Sequence, residues 1–169
     1  CIRDSVYTSL TQSYVADNYH YFTDVRANAT VVTNSGANSG IPYQFYNYTL
    51  TEENVYVYNR YSQLYKIISR ANTLFAHLGD VSYATPSARD TYEAEARFLR
   101  ALSYYWLVTE WGDVPLVLKV LESTEEVRAN NYRRPKAEIY QAIFDDLKYV
   151  TESPLLDVQP ASACGKVSK

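Results

Sequence analysis

The chain has 169 residues, 47% of them hydrophobic and 21% charged, which excludes a disordered chain. That length allows one ordinary domain burying about 70% of its unfolded surface. A net charge of −3 with no basic run offers nothing to nucleic acid or an anionic membrane, and no apolar run reaches the roughly 18 residues of a membrane span.

Taken in chain order, residues 4–22 place Val6, Leu10, Tyr14, Val15 and Tyr19 at three- and four-residue steps, which predicts an amphipathic helix capped by Asp4. Residues 24–52 change character. Asn28, Asn34, Asn38 and Asn47 with Gly36, Gly40 and Pro42 are loop chemistry, and IPYQFYNYTL within it fits a short strand or an exposed aromatic loop. Thr51, followed by two glutamates, predicts the start of a helix over 53–78, with Gly79 closing it. A third helix is expected over 88–110, opened by Thr85-Pro86 or Ser87 and stopped by Gly112. Val114-Pro115 then leaves in an extended conformation. Arg134-Pro135 opens a fourth helix over 136–150, with Ile139, Ala142, Ile143, Leu147 and Val150 on one face.

Four helices and no convincing sheet predict an all-α fold. The second and third make an αα-hairpin over 53–110, with Phe98, Leu102 and Tyr105 expected to bury against Leu64 and Ile68. Ala94, Phe98 and Ala101 repeat the small-large-small spacing of a tetratricopeptide second helix. Two loops longer than about 20 residues are too long for a self-contained bundle, so they are functional or pack against further chain.

Catalytic chemistry is missing from the pattern. There is no phosphate loop, GxSxG or HExxH, so no enzyme and no cofactor are expected. Adjacent acids such as Asp145-Asp146 point in different directions on a helix and read as a solvated face; Glu93 and Arg97 read as an exposed pair. His20 and His77 fall in separate helices, so no metal site is expected. Cys1 and Cys164 are consistent with either a disulfide or two free thiols.

Eighteen tyrosines against no methionine is the compositional outlier. Sugar rings carry an apolar C–H face and a rim of hydroxyls, so their sites combine flat rings with amide or charged side chains. Tyr43, Phe45, Tyr46 and Tyr48, with Asn34, Asn38, Gln44 and Asn47 nearby, supply both kinds of group. The alternative is that these rings clamp a long loop to the helices.

Glu95-Ala-Arg-Phe-Leu-Arg-Ala-Leu-Ser-Tyr-Tyr-Trp-Leu-Val, then Trp111-Gly-Asp-Val-Pro-Leu-Val, resembles the signature of the SusD/RagB family of outer-membrane glycan-binding lipoproteins. Tyr61 to Asn72 resembles the family helix ending in Ala-Asn, and Arg134 to Leu147 its later Arg-x-Pro block. Gly165-Lys-Val-Ser-Lys169 is similar to the lead-in to a further helix. The resemblance implies that residues 1–169 are the N-terminal portion of a single, longer domain of tetratricopeptide-like helical hairpins with long irregular loops. The 88–110 helix would then be central because the remainder packs on its other faces.

The resemblance further implies a cell-surface lipoprotein of the outer membrane that captures oligosaccharide and delivers it to a SusC-like TonB-dependent transporter. A surface adaptor binding peptide or protein cargo is the alternative. The stretch Tyr21 to Asn28 is similar to one that often reads Arg-x-Asp in the family, which makes Arg26 and Asn28 polar partners of the rings; Asn28 stands where the acid is usual. The expected ligand set is Arg26, Asn28, Tyr43, Phe45, Tyr46 and Asn47. Helical sequence follows Cys1 at once, without the spacer a lipidated cysteine usually has, so Cys1 reads as an ordinary residue.

Overall fold

The computed structural model describes residues 2–32, 40–155, 159–160, 162 and 165–168. Cys1, Cys164, Asn34 and Asn38 lie outside the described residues, as do the expectations attached to them. Every regular element described is helical: α1 (Ile2–Leu10), a π-helical turn (Tyr21–Val25), α2 (Tyr43–Tyr46), α3 (Val55–His77), α4 (Pro86–Trp111), α5 (Thr124–Asn130) and α6 (Lys136–Glu152). Among the described residues, β pairing is confined to a single bridge between Val114 and Arg134.

The hairpin is α3 with α4. Leu64, Ile67, Ile68, Ala71 and Leu74 make the buried stripe of α3 at helical spacing. Its cap is Asn54 rather than Thr51: the Asn54 Oδ1 accepts from the amides of Tyr56 (3.0 Å) and Val57 (3.4 Å). Gly112, at φ 74°, ends α4 in a conformation that glycine adopts without strain. The chain then turns back, since Asp113 accepts from the Lys136 amide (2.9 Å) and Val114 O from the Arg134 amide (3.0 Å). That places the start of α6 beside the end of α4, so the two run antiparallel. Val6 of α1, Leu99, Tyr104 and Leu107 of α4, Val114, and Ile139 and Ile143 of α6 close one core with Leu64, Ile67 and Ile68 of α3.

The tyrosines have a mechanical use. Tyr65 Oη donates to Pro115 O (2.7 Å), and Tyr104 Oη both donates to Val117 O (2.9 Å) and accepts from Val117 N (2.8 Å). Tyr48, Tyr83 and Tyr7 make comparable bonds to the backbone at Arg26, Leu78 and Val167. Burial pushes the Tyr65 and Tyr104 phenols above their ordinary pKa, so they stay protonated donors. The rings thus fill space while their tips satisfy irregular backbone that has no ladder of its own.

Three further expectations need correction. The helix over 4–22 stops at Leu10, and Asp4 lies inside its first turn. Thr8, Ser9, Thr11 and Gln12 all bond back to carbonyls three or four residues earlier, competing with the helix, and the chain continues in turns. The IPYQFYNYTL stretch holds no strand: Pro42 starts the single turn α2 and Phe45 is fully buried, while residues 47–50 form the exposed loop that follows. Ser123 caps the unforeseen α5 through the Glu126 amide (3.1 Å). Tyr105 is 49% exposed, and Phe98 and Leu102 are half-buried. The hairpin contact uses the neighbouring stripe Leu99, Tyr104, Leu107 and Val108 instead. A helix apolar on nearly every side does not reveal from its spacing which stripe faces its partner.

Candidate functional site

The first long loop folds onto the start of α3. Phe22, Val25 and Phe45 form a small core of their own, with Trp111 packed against it. The Phe22 and Phe45 rings meet edge-on at 4.9 Å. Asn54 then ties the loop down, its Nδ2 donating to Ile41 O (3.1 Å) and Gln44 Oε1 (2.9 Å). One side chain therefore caps the helix and anchors the loop. Asn54→Ala should cost about 1–2 kcal/mol in a urea titration, from the cap and the lost loop bonds. A change no larger than that of an exposed helix substitution would refute this role.

Above this small core lies a cavity of about 200 Å³. Phe22, Phe45 and Trp111 make its aromatic wall, Leu50 and Val57 its aliphatic wall, and Arg26, Thr51 and Glu110 its polar groups. Arg26 is exposed at the end of the π-helical turn. Glu110 is held from behind by Arg60, whose Nε and Nη2 donate to its two oxygens at 2.7 and 2.6 Å. Burial pushes the Glu110 carboxyl above its ordinary range, with Arg60 and then Arg26 pulling back. The cavity thus offers a donor fork at its mouth, a fixed acceptor at its back and ring faces between them.

The expected ligand residues separate. Arg26 and Phe45 line this cavity, although Phe45 is fully buried and is wall rather than platform. Asn28 has φ 58° and closes a turn, its amide donating to Val25 O (3.0 Å); asparagine tolerates that left-handed conformation. Asn47 is likewise a turn former, accepting from Thr49 Oγ1 (2.6 Å). Tyr43 and Tyr46 are half-buried, 5.6 Å from one another, and stand outside the cavity lining. Tyr48 is 67% exposed at φ 58°, an unusual conformation for a bulky residue, pinned by its hydroxyl to Arg26 O (2.9 Å).

Sequence reasoning missed Glu110, Thr51 and Phe22, and it read Trp111 only as part of a turn motif. It also misjudged two acids. Asp146 is 2% exposed and binds Arg97 and Arg100, while the Glu93–Arg97 pair forms at 2.8 Å but with Glu93 buried. No group of three or more His, Cys, Asp or Glu suited to a metal occurs among the described residues. No described helix is long and apolar enough to cross a membrane.

The SusD-like family model, described as starch-binding associating with outer membrane, matches residues 2–156. A SusD-like protein, P2, of Formosa agariphila is 31% identical over 106 residues, covering 63% of this chain and 21% of that protein. A SusD-like protein of Bacteroides fragilis superposes with a TM-score of 0.80 at 21% identity, over 99% of this chain and 31% of that one. A laminarin-binding SusD-like protein superposes with a TM-score of 0.74 at 27% identity, over 98% of this chain and 37% of that one. The matches thus cover 21–37% of these relatives' own lengths. With the family model matching nearly its whole length and the helical hairpins superposing on solved members, the chain belongs to the SusD-like family.

Proposed function

We propose that this chain is a non-enzymatic glycan-binding component that captures oligosaccharide in the Arg26–Glu110 cavity. One observation supports this most: a cavity of about 200 Å³ that sets a guanidinium and a carboxylate beside Trp111 and Phe22. An engineered cavity of about 150 Å³ holds a benzene ring, so a six-membered sugar ring is of the right size here. Its hydroxyls would accept from Arg26 and donate to Glu110, with its C–H face against the indole. The laminarin bound by a solved relative is a ligand of this kind.

On the same reading the protein sits at the outer-membrane surface by a lipid anchor and hands its glycan to a SusC-like TonB-dependent transporter. Residues 1–169 would be the N-terminal portion of one longer domain. The face of α4 carrying Phe98, Leu102 and the 49% exposed Tyr105 would be covered by the remainder.

Arg26→Ala is the direct test, because the side chain is exposed and its loss should leave the fold intact. Calorimetry on the full-length protein against a panel of laminarin, xyloglucan, starch and xylan oligosaccharides should show a tenfold or greater loss of affinity. A charged hydrogen bond is worth about 1.5–3 kcal/mol. Unchanged affinity would move the site elsewhere, and peptide binding with no glycan binding would favour the adaptor role.

A further inference from the structure

The aromatic wall of the first cavity continues past Trp111. Its indole meets the Tyr61 ring edge-on, with centroids 5.3 Å apart and planes at 73°. Tyr61 lies 4.8 Å from Tyr65, and these two rings form one side of a second cavity of about 140 Å³ between α3 and α5. Val127, Asn130 and Asn131 stand on its other side. Rings facing carboxamides are suited to the C–H face and paired hydroxyls of a sugar.

The two sides are built differently. Tyr65 is locked by its bond to Pro115 O (2.7 Å), so its ring keeps its place. α5 buries none of its seven residues. It is held by the Ser123 cap and the Lys119–Glu126 pair (2.8 Å), and it is far shorter than the roughly 12 residues an isolated helix needs. Its one large apolar side chain, Val127, is 46% exposed at the lip of the groove. Asn130 donates to Glu126 O (2.8 Å), which fixes its carboxamide while leaving its oxygen's acceptor capacity for a hydroxyl.

We propose that this groove is a second sugar subsite, and that one linear oligosaccharide runs from the Arg26–Glu110 cavity over the Trp111–Tyr61 ridge to Asn130 and Asn131. This rests on the first cavity being a glycan site, and it adds where the further sugars of a bound chain lie. Joining two subsites through one molecule makes the second contact intramolecular, so affinity rises steeply with chain length.

The test is calorimetry on the full-length protein with disaccharide and hexasaccharide probes of the laminarin, xyloglucan, starch and xylan series. For at least one series the hexasaccharide should bind about tenfold or more tightly than the disaccharide. Val127→Lys, which fills the groove from an exposed position, and Asn131→Ala should each remove most of that gain while leaving disaccharide affinity and melting temperature unchanged. A hexasaccharide that binds no better than its disaccharide overturns the second subsite and leaves the first intact. So does a length-dependent gain that both variants keep. Absence of binding by any probe, at either length, overturns the glycan reading and this inference together.

Discussion

Asp146→Ala should destabilise the protein by about 3–5 kcal/mol, the usual consequence of removing one partner from a buried ion pair. Asp146 is 2% exposed and accepts from Arg100 Nε and Nη2, both at 2.7 Å, and from Arg97 Nη1 at 2.9 Å. Arg100 is itself buried and also donates to Asn72 Oδ1 (2.7 Å) and Leu118 O (3.2 Å). Asn72 completes the arrangement by donating to Val117 O (3.0 Å) and Lys119 O (3.2 Å). One network therefore ties α3, α4, α6 and the extended segment after Pro115. Without Asp146, the Arg100 guanidinium stays buried with only two neutral acceptors. Asp145→Ala is the matched control, since Asp145 is exposed and, among the described residues, bonded only to its helix neighbour Gln141 (2.9 Å). Its effect should stay within about 0.5 kcal/mol. Equal urea midpoints for the two variants would show that the network contributes nothing.

These same residues explain what the sequence made legible. The helices over 53–78, 88–110 and 136–150 were readable because each is long and carries apolar residues at helical spacing; they emerge as Val55–His77, Pro86–Trp111 and Lys136–Glu152. The segment 4–22 carries the same spacing, but its run of Thr, Ser and Gln bonds back to the backbone, and hydrophobic periodicity does not register that competition. Asn72, Arg97, Arg100 and Asp146 fell inside the family-like motifs, yet their role is to clamp the helices. Asp145 and Asp146 are neighbours in sequence and about 100° apart on the helix, so composition alone cannot tell the exposed one from the buried one. The candidate site was less legible for a different reason. Its walls come from 22–26, 45–57 and 110–111, and only the packing of α4 behind the loop brings Glu110 and Trp111 to Arg26.

Arg60→Leu should have an effect of similar size, about 3–5 kcal/mol at neutral pH, and one that depends on pH. Arg60 is completely buried. It grips Glu110 with two bonds, donates to Tyr14 O (3.1 Å) and Val15 O (3.3 Å), and lies within 5.4 Å of the Tyr19, Phe22 and Trp106 ring centroids. Leucine fills part of the volume, yet it leaves the Glu110 carboxylate against aromatic rings with no cation behind it. Burial already raises the Glu110 pKa while Arg60 opposes the rise; removing Arg60 raises it further. A carboxyl whose folded pKa exceeds its unfolded value, about 4.3, favours the fold below that value and loses the contribution as pH climbs through the folded pKa. The deficit of the variant relative to wild type should therefore be largest near pH 7 and shrink towards pH 4. Urea titrations at both pH values measure it. The double variant Arg60→Leu/Glu110→Leu should recover part of the loss at pH 7, because replacing both charges with apolar groups removes the stranded carboxylate. A deficit that does not change with pH, together with a double variant no more stable than the single one, would place the cost in lost packing around Arg60 and not in the charge left behind.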